Sequence, residues 1–383
     1  MEVILDCFFD DIVSTMDRSS LSVRHKRREL VDYLSTLIMG CEDQVEGCRM
    51  AVLAALRFHD VSRRSNGSVC LMGKYHDVLY VAAKVCFDHT LEDGTIVAHL
   101  LDSIFICEGT FERLFIGAIF GTRVTHLICG WKTDFADGDE SLRAMAYFMS
   151  HATKARLSYV VPSLRSAARR CAGESDRRRW GMGSSRGISC NEIPDLTRLV
   201  DVPMQAYEDH QTKPNCITEN LIAPQKVLLM LLRFGAEADG GRGRRKGFEG
   251  DERSAHSPLE HHVRKLSTAA AAGVRVLPPE SCSCLRVLLR ALPRVAVPAN
   301  ECDWEDPRRR KAYSRKSYGT PVHPRLFTDG VILPSRWHRP AELRHLCRCT
   351  IRAVLWQNWE LPYGIRKLPL PTKMMNYLDL LDD

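Results

Sequence analysis

Ala341-Glu-Leu-Arg-His-Leu-Cys-Arg-Cys-Thr-Ile351, followed by Leu361-Pro-Tyr-Gly-Ile-Arg-Lys-Leu-Pro-Leu-Pro371-Thr-Lys-Met-Met-Asn-Tyr-Leu378, is the most informative stretch of this chain. Apolar residues recur at Leu343, Leu346, Cys347, Ile351, Val354 and Leu355, a spacing that places them on one helical stripe. Arg344, His345, Arg348 and Arg352 lie off that stripe. Pro340 sits where a helix can begin but not be continued from behind. The spacing predicts an amphipathic helix of about four turns, whose apolar stripe must be covered by something. Leu368-Pro369-Leu370-Pro371 cannot lie inside a helix, because two closely spaced prolines remove donors and hold the backbone extended. Met374, Met375, Tyr377 and Leu378 then allow a short closing helix. An extended, proline-bearing segment presents its side chains at little entropic cost, which suits recognition.

These residues resemble a SOCS box. In that family the first element binds Elongin C, which pairs with Elongin B, and the second selects a cullin. Leu343, Cys347 and Ile351 fit the Leu, Cys and aliphatic positions of the Elongin-binding pattern, with Leu346, Val354 and Leu355 on the same stripe. Glu342 departs from the Ser, Thr or Pro usual before the Leu. Ile365, Leu368, Pro369, Leu370, Pro371, Met374, Tyr377 and Leu378 match the cullin-selecting pattern throughout, and the Leu-Pro-Leu-Pro form is similar to boxes that choose cullin-5. The resemblance implies three short helices over 337–383. Its implied partners are Elongin C, Elongin B and cullin-5 with a RING-box protein. A protein target, unnamed by the sequence, would be held by the rest of the chain. It implies no catalysis. Cys347 is expected to act as a small apolar knob, since free Cys behaves as a buried hydrophobe.

The 383 residues are 45% hydrophobic and 26% charged, an ordinary globular balance with room for two or three domains. No apolar run reaches membrane-spanning length, and the start Met1-Glu-Val-Ile-Leu-Asp6 lacks the basic region of a signal peptide. The fifteen cysteines are scattered and odd in number, which favours free thiols in a reducing compartment, and hence a cytoplasmic protein. The net charge of +7 gathers in Arg165–Arg186, Arg242–Lys246 and Arg308–Lys311. These runs could meet a nuclear import factor, but the first holds a single aromatic residue, Trp180, and the second none, so specific nucleic-acid binding is not expected.

Upstream of the terminal stretch the periodicity is helical: Val3, Ile4, Cys7, Phe8 and Val13; Leu30, Tyr33, Leu34 and Leu37; Cys48–Phe58; Phe111–Phe120; Val124–Trp131; Leu142–Met149. Residues 163–192 and 240–258 lose that periodicity and are rich in Arg, Ser and Gly, as expected of disordered insertions. Val227-Leu-Leu-Met-Leu-Leu-Arg-Phe-Gly235 resembles the second helix of an ankyrin repeat, with Gly235 where a left-handed stop is needed. Cys284–Leu292 resembles the same helix of the next repeat, at a spacing somewhat above the ankyrin period of about 33 residues once 240–258 is set aside. No Thr-Pro-Leu-His turn is present.

The expected fold is therefore all-α, a helical-hairpin, degenerate ankyrin-like solenoid followed by a small three-helix box. Its parts are a helical region (1–162), an insertion (163–192), ankyrin-like repeats (193–300, interrupted at 240–258), a linker (301–336) and the box (337–383). No cofactor is expected. Cys282-Ser-Cys284 and Cys347-Arg-Cys349 lack a second pair at ligand spacing, and His261-His262 point to different helical faces. No phosphate-cradling or nucleophile-elbow motif is present. A helical scaffold that binds Elongin without turning over a target is the other reading of the same features.

Overall fold

A computed structural model describes residues 1–109, 111, 113–115, 117, 118, 134–157, 224–236, 258–293, 322–333 and 341–383. The expected helix Val124–Trp131, the insertions 163–192 and 240–258, and the three arginine runs lie wholly or almost wholly outside these residues, and of the expected helix Phe111–Phe120 only 113–115, 117 and 118 are described as helical. Those described are helical, with no strand among them. They fall into two units, one within residues 1–194 and one beyond residue 220.

The first unit opens with α1 (Glu2–Cys7), which widens into a π-helical stretch, Phe8–Val13. The buried residues depart from the expected stripe. Leu5, Phe8, Phe9 and Val13 are buried, whereas Val3, Ile4 and Cys7 face solvent. Then come α2 (Arg24–Met39), α3 (Gln44–Ser65), α4 (Lys74–Asp88), α5 (Gly94–Glu108) and α6 (Gly138–Lys154). Asp43, Asp93 and Asp137 start α3, α5 and α6 by accepting hydrogen bonds from otherwise unpaired first-turn amides. Gly109 ends α5 in the left-handed conformation that costs Gly little. The helices α2, α3 and α4 pack on one another, α5 packs on α3 and α4, and α6 packs on α5. From α2 to α6 each helix thus touches its successor, and α1, α2 and α3 also touch the helix after next.

The second unit contains α7 (Pro224–Arg233), α8 (Pro258–Ala271), α9 (Pro279–Ala291) and the single turn α10 (Arg325–Thr328). They share a core that includes Leu232, Val263, Leu266, Leu285, Leu288, Leu326 and Ile332. Residues 322–333 fall in the expected linker, yet Leu326 and Ile332 are fully buried in this core, so this part of the segment is folded structure. Past residue 341 come α11 (Leu343–Gln357), a 3-10 turn (Tyr363–Lys367) and α12 (Thr372–Leu378), the three short helices expected there. Leu380 enters the core of α7–α10, which joins the terminal segment and the preceding helices in one unit.

Gly235 marks a join within that unit. The Gly235 amide donates to the Leu232 carbonyl and the Ala236 amide to that of Leu231, which closes α7 with a Schellman turn. Gly235 has φ +96°, and a Cβ there would lie 2.2 Å from Cδ1 of Trp356. The glycine read from sequence as a helix stop is therefore also the gap into which the α11 indole fits.

Candidate docking surface of the terminal helices

An amphipathic helix on a protein surface ordinarily turns its apolar stripe inward. Helix α11 does the reverse. Leu343 is 77% exposed, Val354 51% and Leu346 38%, and Cys347 is also open to solvent, while His345, Arg348 and Arg352 are buried. The hydrogen bonds explain this orientation. Arg352 donates to the Leu378 carbonyl at 2.9 Å and to the carbonyls of Leu232 and Arg233. These are the last carbonyls of α12 and α7, which have no partner within their own helices. A cation there also meets the negative ends of two helix dipoles. Burial pulls the Arg352 guanidinium down to about 10, still charged at neutral pH, with Asp379 acting in the opposite sense.

Arg348 donates to the Asp382 carbonyl at 3.1 Å, and its other terminal nitrogen donates to Nδ1 of His345 at 3.0 Å. Because His345 accepts at Nδ1, its proton sits on Nε2, which donates to the Leu292 carbonyl at 2.7 Å, just past the end of α9. Arg344 and Arg348 place their guanidinium carbons 4.0 and 4.1 Å from the ring centre of Tyr377, so both cations contact its π surface. Arg233 grips Asp379 with two bonds, at 2.9 and 2.6 Å. Three basic residues of α11 thus satisfy carbonyls near the ends of α7, α9 and α12, and the helix is held with its apolar face outward.

The predicted residues divide accordingly. Leu343, Leu346, Cys347 and Val354 form the exposed ridge. Ile351 and Leu355 are half-buried, against a small core made by Leu361, Ile365 and Leu378. Pro369 and Pro371 are exposed, and Leu368, Leu370 and Met374 are half-buried. Ile365, Tyr377 and Leu378, expected to face a partner, are buried inside the unit. They fix the shape of the proline segment and leave Pro369 and Pro371 as its open points. Sequence reading missed His345, Arg348 and Arg352 as the residues that orient the ridge. Their only signal was i,i+3 and i,i+4 spacing along one face.

A scan of known families now decides the identity of the segment. Residues 339–379 match the SOCS box. Curated relatives agree over the same region. The chain is 51% identical over 49 residues to the mouse protein "Ankyrin repeat and SOCS box protein 17", which covers 13% of this chain and 17% of that protein. It is 53% identical over 49 residues to the bovine protein of that name, covering 12% and 17%. The human one is 46% identical over 59 residues, covering 15% and 20%. The chain spans about a sixth to a fifth of the length of these relatives. No solved structure matches it. Among the described residues, no helix is long and apolar enough to cross a membrane.

Proposed function

We propose that this chain is the substrate-recognition subunit of an Elongin B/C–cullin-5–RING ubiquitin ligase and carries out no chemistry itself. The supporting observation is the outward apolar ridge Leu343, Leu346, Cys347 and Val354 on a SOCS-box helix whose basic face is already committed inside the unit. An apolar ridge held in water is the ordinary mark of a binding surface. It would enter an apolar groove on Elongin C, with Ile351 and Leu355 at its edge, in the helix-in-groove manner. Leu343 and Cys347 would be the central anchors, since a few buried residues usually dominate such interfaces.

Pro369 and Pro371, with Leu368, Leu370 and Met374 beside them, would meet cullin-5. Ile365, Tyr377 and Leu378 would hold that segment in shape from inside. The remaining helices, read as a degenerate ankyrin-like array, would hold the target. The assembly would act by raising the effective concentration of target lysines near a charged ubiquitin-conjugating enzyme.

The test is co-expression with Elongin B and Elongin C, followed by size-exclusion chromatography with and without cullin-5. The expected result is one stable peak that moves earlier with cullin-5, and a Pro369→Ala, Pro371→Ala variant that keeps the Elongins but loses the move. Absence of the Elongins from the peak would overturn the reading. A bound protein that does not accumulate in cells expressing the proline variant would instead favour a scaffold without target turnover.

A further inference from the structure

We propose that His59, Cys70, His76 and Cys107, in the first unit, bind one zinc ion. Each offers a ligand atom, and these atoms all lie within 4.8 Å of one another. His59 comes from the end of α3, Cys70 from the loop after it, His76 from the first turn of α4, and Cys107 from the last turn of α5. Two imidazoles and two thiols are the donor set of structural zinc sites. A tetrahedral zinc with bonds of about 2.0–2.3 Å needs donors roughly 3.3–3.8 Å apart. His59 Nε2 and Cys107 Sγ are already 3.3 Å apart, and no two of the donor atoms are more than 4.8 Å apart.

The surroundings match what a metal-bound histidine requires. His76 is fully buried, and its Nε2 lies 2.7 Å from the carboxylate of Glu108. Nδ1 is the nitrogen left for a ligand; it is buried, and the Cys70 thiol hydrogen-bonds this imidazole. A carboxylate on the far nitrogen of an imidazole is the usual second contact of a zinc-bound His, because it fixes the tautomer and raises donor strength. Glu108 is itself held by the Tyr80 hydroxyl at 2.8 Å and by Arg113. His59 is arranged alike: fully buried, Nε2 toward Cys107 and Nδ1 3.4 Å from Asp60. Around Cys70, the Met72 amide donates to its sulfur at 3.4 Å, which favours a thiolate. The loop that delivers Cys70 passes through left-handed residues at Gly67, Ser68, Met72 and Gly73. Backbone of that kind is kept where the surroundings demand it.

With zinc, two thiolates balance the ion's charge, both imidazoles bind neutral, and the two thiol protons leave to solvent. The ion would tie α3, α4 and α5 at one point.

The untagged full chain, purified from zinc-replete cells, should carry about one zinc per molecule by plasma mass spectrometry. The Cys70→Ala, Cys107→Ala variant should lose it, and Cys7→Ser should keep it. Should the double variant not fold, cobalt exchange into the wild type gives an independent reading. Thiolate-to-cobalt charge transfer with intense tetrahedral visible bands is expected. Chelation of the wild type should lower the melting temperature by on the order of 10 °C. Metal-free folded protein with both thiols reactive, a Cys70–Cys107 disulfide, or a cobalt spectrum without thiolate bands would each overturn the assignment.

Discussion

Gly235→Ala is the sharpest test of how the SOCS box is held, because its cost can be worked from two independent terms. At φ +96° an alanine bears the left-handed penalty of about 1–2 kcal/mol. Its Cβ would also sit 2.2 Å from Trp356 Cδ1 and 2.9 Å from Nε1, where ordinary carbon contacts begin near about 3.5 Å. The indole must retreat by more than about 1 Å, an overpacking cost of about 1–3 kcal/mol. Together these give about 2–5 kcal/mol, a large share of a typical domain's stability of about 5–15 kcal/mol. Hydrogen exchange across α7 and α11 reads this locally, and amide protection there should fall on the order of 10²- to 10³-fold. The two terms separate in a cycle with Trp356→Ala. The steric term vanishes without the indole, so the double variant should be more stable than additivity predicts by about 1–3 kcal/mol, with the left-handed penalty remaining. A single-variant loss below about 0.5 kcal/mol, or an additive cycle, would refute the close approach of α11 to the end of α7.

Three further outcomes follow from the same geometry. Leu343→Asp places a charge on a side chain already in water, so stability should move by less than about 0.5 kcal/mol while Elongin co-purification is lost; a drop in melting temperature would mean the ridge is core. Arg352→Met should cost about 1–3 kcal/mol in denaturant unfolding, because it leaves the Leu378 carbonyl without a donor and removes the second donor of Leu232. Tyr377→Phe should be neutral or stabilise by up to about 1 kcal/mol, since the buried Tyr377 hydroxyl has no hydrogen-bond partner among the described residues; a loss above that in thermal melts would reveal a partner.

Helical character was legible upstream because apolar spacing is local: Leu30 and Leu34, Cys48 to Phe58, and Val227 to Leu232 each carry their period in a short window. The SOCS box was legible because two spaced patterns occur in order. What the sequence hid was direction. The stripe on α11 says that two faces differ, but not which one faces inward. The usual assumption that charge faces water fails at Arg348 and Arg352, whose partners are helix-end carbonyls. A carbonyl left over at the end of α7 or α12 has no letter in the sequence. The π-helical stretch Phe8–Val13 was hidden for a similar reason, since it changes the period on which the reading relied. The His59, Cys70, His76 and Cys107 set escaped because its members come from three helices and a loop, whereas motif reading searches for pairs close in sequence.

The inverted helix fits the proposed docking role, in which the surface must be ready before its partner arrives. A helix with one apolar face lowers its free energy in water by rolling that face inward, which would hide the docking ridge. Directional bonds prevent the roll. Turning α11 by half a revolution would leave the carbonyls of Leu292 and Leu378 without donors, take from Leu232 the second of its two donors, and expel the guanidinium contacts from Tyr377. Each buried carbonyl left unpaired costs about 1–3 kcal/mol. Burying Leu343 and Val354 instead returns about 1.5–3 kcal/mol for each side chain fully covered. These two carbonyls offset most of that gain, and the stacked guanidiniums and the bonds of Arg348 tip it toward the outward ridge. Replacing His345, Arg348 and Arg352 together with Leu removes the offset. That variant is expected to remain helical by circular dichroism yet lose Elongin binding with every predicted contact residue intact. Retained binding would mean that the ridge is held outward by something other than these three side chains.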